Sequence, residues 1–274
     1  MPKMKRKGAG KLAVRNAAKT LLANIRFASV DKPIRTLTVT SSTPNEGKST
    51  VALNLAKAIA TSGATVLLVE CDMRRRSQAE MIGVHSLGGV YSVLSGQMTV
   101  DEAVVEVSQN LYFLDSEPNI PNPADIIASH RFSKLVSTLE SKYRYVIFDT
   151  PPVGTFVDAA EVGRLTDGVI FLVRENFTKR NEVLAAFDQL RKAEVNIIGS
   201  VMNCCEVEAN EYYYAYYNES GKKVRTSDGD GVYNSHNYES AVAPVPVKRR
   251  SSASNSHKNA QAAKQLTGSR FTRN

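Results

Sequence analysis

Apolar positions along residues 12–202 follow two alternating patterns, short apolar or β-branched runs and longer stretches with helical spacing. The short runs predict strands at residues 35–42, 64–71, 111–116, 145–149, 168–173 and 195–202. The helical spacing predicts helices at residues 12–28, 49–61, 124–142, 157–165 and 179–192, with a mixed, partly helical region at 76–110. This alternation predicts an α/β fold with a doubly wound, mainly parallel sheet that carries helices on both faces.

The periodic pattern ends near residue 207, beyond which polar residues, Gly, Ser, Asn and Tyr dominate. Such a composition does not bury enough apolar surface to form a core, so we expect residues 207–274 to be a disordered C-terminal tail. The sequence therefore predicts three parts: a basic N-terminal arm at 1–11, a folded domain at 12–206 and the tail at 207–274.

The formal net charge of +8 over 274 residues is concentrated at the two ends. Residues 1–26 contain eight Lys or Arg and residues 241–274 contain seven, with no Asp or Glu in either stretch. The remaining residues, 27–240, carry a net charge of −7. Basic ends suit an anionic membrane surface, nucleic acid or an acidic partner, and they equally suit a purely solubilising role.

Membrane and redox signals in the sequence are few. No apolar run approaches the length of a membrane-spanning helix, and the basic N-terminus lacks the apolar segment of a secretory signal. We therefore expect a cytosolic chain whose membrane association would come from charge or from a partner. Cys71, Cys204 and Cys205 form no disulfide framework, and because they end strand-like runs we expect buried thiols in a reducing compartment.

The stretch from Arg35 to Thr50 has the strand, tight loop and helix order of a phosphate-binding loop. Backbone N–H groups of such a loop, together with the positive end of the following helix, hold a polyphosphate. Lys48 would reach the β- and γ-phosphates, and the Ser49 hydroxyl would bind Mg²⁺. Ser42 stands where the strict pattern has Gly. The residues expected to bind the nucleotide here are Thr43, Pro44, Asn45, Glu46, Gly47, Lys48, Ser49 and Thr50.

Carboxylates end two further predicted strands. Glu70 lies near the end of the run at 64–71 and Asp72 follows it, and Asp149 follows four apolar residues in the pattern of a Walker B strand. Because ligands of an open parallel sheet bind outside the carboxyl ends of its strands, we expect these groups to meet the phosphate loop in one crevice. There Lys48, Glu70, Asp72 and Asp149 would serve phosphoryl transfer, with Mg²⁺ held by Ser49, Asp72 and Asp149.

These motifs together resemble the bacterial protein-tyrosine kinases of capsule and exopolysaccharide synthesis, in their stand-alone cytoplasmic form. SSTPNEGKST resembles their Walker A loop, with Asn45 at a position usually written Gly. VLLVECDMRRR resembles their second motif, in which Asp72 and Arg74 fit and Glu70 replaces the usual Asp. VIFDTPPVGTFVDA resembles the Walker B strand and its loop, and VMN places Asn203 where related ATPases contact adenine.

The resemblance implies a P-loop ATPase fold, related to Par/Min-type ATPases, and an ATP- and Mg²⁺-dependent tyrosine autokinase that regulates polysaccharide synthesis and export. A C-terminal tyrosine cluster is phosphorylated between subunits in this family, and here the cluster would be Tyr212, Tyr213, Tyr214, Tyr216 and Tyr217. The implied partners are a transmembrane polysaccharide co-polymerase that activates the kinase, other copies of the chain, a tyrosine phosphatase and an anionic membrane surface, but not nucleic acid. The implied location is the inner face of the cell membrane.

The chain departs from the family at one point, which puts the ring contact in doubt, and two other interpretations stay open. The family joins subunits into a ring through a Glu and two Arg of its first helix, and these positions are Asn16, Lys19 and Leu22 here. A Par/Min-type ATPase switch without kinase activity is the main alternative, although the second Lys typical of that loop is missing and the tyrosine cluster is unexplained by it. A regulatory module with a decayed site is a third interpretation, suggested by Asn45 and Glu70.

Overall fold

The computed structural model describes residues 6–28 and 32–205, with side chains from residue 11 onward. The described helices are α1 (Arg6–Phe27), α2 (Lys48–Thr61), α3 (Gln78–Ile82), α4 (Val90–Ser95), α5 (Val100–Ala103), α6 (Pro123–Ile127), α7 (His130–Lys142), α8 (Asp158–Arg164) and α9 (Arg180–Lys192). The strands are β1 (Thr36–Ser41), β2 (Val66–Glu70), β3 (Val104–Ser108), β4 (Leu111–Leu114), β5 (Tyr145–Asp149), β6 (Gly168–Arg174) and β7 (Ile197–Asn203). The predicted tail and tyrosine cluster lie outside the described residues.

The seven strands form one sheet in the order β3-β4-β2-β5-β1-β6-β7. Every neighbouring pair is parallel except β3 with β4, which is antiparallel at one edge. The predicted mainly parallel, doubly wound α/β fold is therefore confirmed. Since β1, β2 and β5 lie side by side in the middle, the ends of these three strands bring their following loops to the same edge.

Alternate residues of the central strands pack into separate cores on the two faces of the sheet, which explains their unbroken apolar runs. Leu68 lies in the core that α1 and α2 cover, whereas Leu67 lies in the core that α7 and α8 cover. Helix α1 contributes Leu22 and Ile25 to the first core. The Leu22 side chain is therefore buried in this core, so this position cannot supply the exposed charge that the family's ring contact uses.

The structure differs from the prediction at three elements. Helix α1 begins at Arg6, six residues before the predicted start and within the predicted basic arm. The single helix predicted at 124–142 is divided, because the Ser129 hydroxyl accepts a hydrogen bond from the Phe132 N–H at 3.2 Å and so begins a new helix. The edge strand β3 was not predicted, since its half-exposed residues carry only a short alternation within a mixed region.

The prediction of buried thiols is correct for Cys71 but wrong for Cys204 and Cys205, which are exposed. The physical reason is their position. Both follow β7, which is an edge strand with only intermediate or exposed residues, so no neighbouring strand covers its end. None of the described helices is long and apolar enough to cross a bilayer.

Candidate active site

The loop between β1 and α2 has the backbone geometry of an anion cradle. Gly47 precedes α2 with φ of +95°, and no side chain caps the helix. The first intrahelical bond of this turn runs from the Val51 N–H to the Gly47 carbonyl. The N–H groups of Lys48, Ser49 and Thr50 therefore lack helical partners and remain available to a phosphate.

Asn45 also has a left-handed backbone, with φ of +65°. This geometry explains why the position is commonly Gly in the resembled loop, and why Asn, which tolerates this region better than most residues, can replace it. The substitution keeps the loop shape, so it gives no support to a decayed site.

Side chains behind the loop fix it in place. The Glu46 carboxylate accepts a hydrogen bond from the Thr43 N–H at 3.0 Å and another from the Thr178 hydroxyl. The Asn203 amide donates to the Glu46 carbonyl at 2.7 Å. Glu46 is fully buried. Thr43, Glu46 and Asn203 were all predicted to bind the nucleotide, and these hydrogen bonds hold the loop itself. Asn203 joins the loop to the end of β7.

A cavity of about 520 Å³ lies in front of the loop. It brings together most of the residues that the sequence analysis assigned to the nucleotide. Its walls are formed by Pro44, Asn45, Gly47, Lys48, Ser49, Thr50, Asp72, Arg74, Arg75, Ser77, Met81, Pro152 and Phe156. Thr43, Glu46, Glu70, Asp149 and Asn203 are predicted site residues outside this lining.

Lys48 is the cation best placed for a phosphate. It is 8% exposed, and no hydrogen bond or ion pair to its side chain is present within residues 11–28 and 32–205. Burial lowers the pKa of its ammonium group, against the attraction of Asp149 and Asp72. A buried lysine without a partner is costly for a folded protein, which indicates that its charge serves a ligand.

Glu70 and Asp149 are fully buried neighbours at the ends of β2 and β5. Burial, followed by repulsion from Asp149, raises the pKa of Glu70 to about 8. Burial likewise raises the pKa of Asp149 to about 6. Asp72, at the cavity wall, also has a pKa raised by burial. Three carboxyl groups thus crowd one small region, an arrangement that a cation would stabilise.

Arg74 is held over the cavity by two contacts. Its guanidinium donates to Asp158 Oδ1 at 2.6 Å and lies 4.1 Å from the centre of the Phe156 ring. Asp158 is fully buried at the start of α8. The contacts fix the direction of the Arg74 side chain, so its charge can face an anion in the cavity.

Two residues at the site, Ser77 and Gln78, were missed by the sequence analysis. The Ser77 hydroxyl donates to the Ser49 hydroxyl at 2.9 Å, and the Gln78 amide donates to Asp149 Oδ2 at 2.8 Å. Both residues follow the Arg-rich turn inside the region read as mixed. A lone Ser-Gln pair has no spacing or composition that distinguishes it from an ordinary helix start.

These residues fit a Mg²⁺-nucleotide. Asp149 Oδ1 is buried and has no hydrogen-bond partner among the described residues. Within the described part of the chain, no group of three His, Cys, Asp or Glu side chains forms a metal site of its own. Mg²⁺ is commonly held by one or two carboxylates together with substrate phosphates, and Asp72, Asp149 and Ser49 can supply the protein's share.

Replacing Gly47 by Ala is expected to lower nucleotide affinity at least about tenfold. A Cβ at this position would lie 2.2 Å from the Asn203 amide nitrogen, and its φ of +95° costs an L-residue roughly 1–2 kcal/mol. Equilibrium titration with a fluorescent ATP analogue measures the loss. Gly96→Ala is the matched control, since Gly96 has φ of +78° and open space around it. Equal nucleotide affinity of the two variants would contradict binding of the nucleotide by the loop at Gly47.

Comparison with known proteins identifies the family of this chain. A family model described as an AAA domain matches residues 35–201. The tyrosine-protein kinase YwqD of Bacillus subtilis (strain 168) is 32% identical over 200 residues, which cover 73% of this chain and 84% of YwqD. The crystal structure of the chimerical protein CapA2B2 aligns with a TM-score of 0.67 at 32% identity, covering 70% of this chain and 85% of that one.

A more distant likeness shows the fold alone. The septum site-determining protein MinD of Pyrococcus horikoshii, complexed with Mg-ADP, aligns with a TM-score of 0.54 at 20% identity over 66% of this chain and 76% of that one. The resemblance to bacterial tyrosine-protein kinases is therefore confirmed, since relatives at about 30% identity carry that name, whereas only the fold is shared with MinD. The chain therefore belongs to the bacterial tyrosine-protein kinases, a family of P-loop ATPases, and is itself a tyrosine-protein kinase.

Proposed function

We propose that this kinase uses Mg-ATP to phosphorylate the tyrosine cluster at residues 212–217 of another copy, and so regulates capsular or exopolysaccharide synthesis and export. The single observation that carries the proposal is Lys48, a buried cation whose side chain has no partner among the described residues and which lies beside three N–H groups without helical partners. The kinase domain in this proposal comprises residues 12–206, which leaves residues 207–274 as a substrate-bearing tail.

The roles proposed for the side chains follow from charge and position. Lys48 and the first turn of α2 neutralise the β- and γ-phosphates, while Arg74 is aimed at the same region by Asp158. Bound Mg²⁺ supplies further neutralisation of the phosphate oxygens. Asp72 lines the cavity and has a pKa raised by burial, so it is suited to accept the proton of a tyrosine hydroxyl.

Glu70 has a different role in the proposal. Its two oxygens accept hydrogen bonds from the backbone N–H groups of Asp72, Ser77 and Gln78, at 2.9–3.1 Å. It therefore shapes the turn that carries Asp72 and Arg74, and acts on the reaction through them. Thr43, Glu46 and Asn203 similarly act through the shape of the loop.

The decisive experiment incubates the purified chain with Mg-ATP and maps phosphotyrosine by mass spectrometry. Phosphate on the cluster supports the autokinase, whereas ATP hydrolysis with unmodified tyrosines supports the Par/Min-type alternative. A second arm adds the cytoplasmic segment of a transmembrane co-polymerase, the activating partner that the resemblance implies. Stimulation supports this partner and a location at the inner membrane face, and full activity of the lone chain would contradict activation.

The same proposal includes a tyrosine phosphatase, which would remove the phosphates, and an anionic membrane surface. Support for the surface comes from α1, where Lys11 and Lys19 are exposed on a helix whose other side packs into the core. No acid stands in residues 1–26 to oppose them. Binding to phosphatidylglycerol vesicles but not to phosphatidylcholine vesicles tests this partner, and equal binding to both argues against it.

Replacing the five clustered tyrosines, at positions 212, 213, 214, 216 and 217, by Phe is expected to remove most phosphotyrosine and to leave ATP binding unchanged. In the proposed assembly, the unmodified tail of one copy occupies the active site of another. Full phosphorylation would add a charge of roughly −7 to −10 to the tail, so this assembly should loosen after Mg-ATP in the wild type while the Phe variant stays associated. Mass spectrometry and light scattering measure the two effects. Tyr233→Phe with Tyr238→Phe is the control within the same tail. If phosphotyrosine is lost mainly in that variant, the substrate tyrosines are Tyr233 and Tyr238 and not the cluster.

A further inference from the structure

The side chain of Gln78 lies fully buried between two residues of the candidate metal site. Its amide nitrogen donates to Asp149 Oδ2 at 2.8 Å and to the Ser49 carbonyl at 3.0 Å. Both hydrogens of the amide are thereby used. Gln78 thus joins the loop after β1 to the end of β5, the two elements that would supply the metal ligands.

The orientation of this amide is fixed by its neighbours. The nitrogen faces two acceptors, and the opposite orientation would direct the carbonyl oxygen at a carboxylate and a backbone carbonyl. In the observed orientation, Gln78 Oε1 is buried and has no hydrogen-bond partner within residues 11–28 and 32–205. The fold therefore tolerates one unsatisfied oxygen in order to keep the nitrogen on Asp149, which a packing residue would not require.

The backbone that carries Gln78 is held by Glu70. Glu70 Oε2 accepts hydrogen bonds from the Ser77 N–H at 2.9 Å and the Gln78 N–H at 3.0 Å. A side chain one methylene shorter would end farther from these two groups, which gives a reason for Glu at a position where the resembled motif has Asp. Glu70 and Gln78 therefore form one connected network that ends on Asp149.

We propose that Gln78, fixed by Glu70, is a positioning residue that sets the orientation of the Asp149 carboxylate for the metal ion of the kinase reaction. The proposal rests on the function proposed above. The Gln78 amide occupies Oδ2 and leaves Oδ1, which is buried and has no hydrogen-bond partner in the described part of the chain, available to hold the cation or its water. Partners that orient metal ligands commonly contribute 10- to 100-fold in metal affinity or activity.

The test replaces Gln78 by Met, which keeps the size of the side chain and removes the amide. We expect the Mg²⁺ concentration for half-maximal binding of a fluorescent ADP analogue to rise about tenfold, while binding of the same analogue in EDTA stays unchanged. We expect kcat at saturating ATP to fall roughly tenfold or more, and KM for ATP measured at saturating Mg²⁺ to change little. Gln97→Met makes the same substitution at an exposed position and serves as the control.

Three outcomes separate this proposal from its alternatives. A lower melting temperature with unchanged Mg²⁺ dependence and kcat would assign Gln78 a purely structural role and overturn the proposal. A wild-type chain that binds Mg-ADP but phosphorylates no tyrosine would overturn the proposed function, and the Mg²⁺ titration would still test Gln78. If the Met variant does not fold, Gln78→Asn keeps an amide too short to reach both acceptors, and the same tenfold rise in Mg²⁺ requirement is expected of it.

Discussion

Replacing Lys48 by Met is expected to lower the rate of tyrosine phosphorylation by about a hundredfold or more. The physical reason is that a fixed charge in a dry site stabilises the developing charge of phosphoryl transfer by several kcal/mol. Lys48 begins α2 beside the three free N–H groups, so Met removes the cation and leaves the backbone cradle intact. Steady-state rates with Mg-ATP measure the effect, and they should be compared at equal nucleotide occupancy.

The same substitution should leave the fold intact. Met has a similar length, and the structure gives the Lys48 side chain no partner within the described residues whose loss would destabilise the protein. Burial lowers the pKa of Lys48, so its charge is already disfavoured in the folded state, and the melting temperature should stay equal or rise. Lys57→Met, at an exposed position of the same helix, is the matched control. Wild-type activity in the Lys48 variant would remove Lys48 from the reaction.

The sequence could predict the middle of the sheet because its strands are buried on both faces. In β2, Leu67 and Leu68 pack into opposite cores, so both faces of the strand are apolar up to Glu70 at its end. The phosphate loop was predictable because its function limits which residues can form it. Its backbone requires a positive φ at Gly47, and a bound phosphate requires a positive charge at Lys48. Both signals are local, which is why a single sequence contains them.

The parts that escaped prediction depend on contacts between distant residues. Strand β3 exists because it pairs with β4, and its own half-exposed residues favour no particular element. Gln78 and Asp149 are 71 positions apart in the chain, so their hydrogen bond could not be inferred from spacing. Glu46 was predicted to bind the nucleotide as part of the loop, and the structure shows that its carboxylate binds Thr43 and Thr178, a direction of the side chain that only the tertiary structure determines.

Replacing Asp149 by Asn is expected to have two opposite effects, loss of activity and gain of stability. Activity should fall by about a hundredfold or more, because a neutral amide is a poor Mg²⁺ ligand and cannot offset the charge of the cation. Stability should rise because the fold holds Asp149 and Glu70 together in a buried region, where like charges repel. Both effects have the same origin: the buried position of the Asp149 carboxylate suits binding of the metal but disfavours the folded state.

The sign of the stability effect can be worked out from the two carboxyl groups. Burial raises the pKa of Asp149 to about 6 and that of Glu70 to about 8, so the folded protein holds both protons more tightly than the unfolded chain. Without divalent cations, the contribution of these two groups to wild-type stability should therefore be fully present below about pH 4 and be lost as the pH rises through 6 and 8. Asp149→Asn removes one ionising group and brings the pKa of Glu70 closer to its ordinary value, because the neighbouring charge is gone. The gain in free energy of unfolding of the variant over the wild type should therefore grow with pH, to on the order of 1–3 kcal/mol at pH 8.

Urea unfolding in EDTA at pH 5, 6.5 and 8 measures this advantage directly, with Asp125→Asn as the control at an exposed acid. The Asp149 variant should show the shallower decline, and Mg²⁺ with ADP should stabilise the wild type more than the variant, because bound cation relieves the same repulsion. Lys48 and Asp72 also face Asp149, but their attraction and repulsion are already included in its raised pKa. A variant that is less stable than the wild type at pH 8, or one that keeps the wild-type rate, would show that Asp149 serves the fold and not the metal.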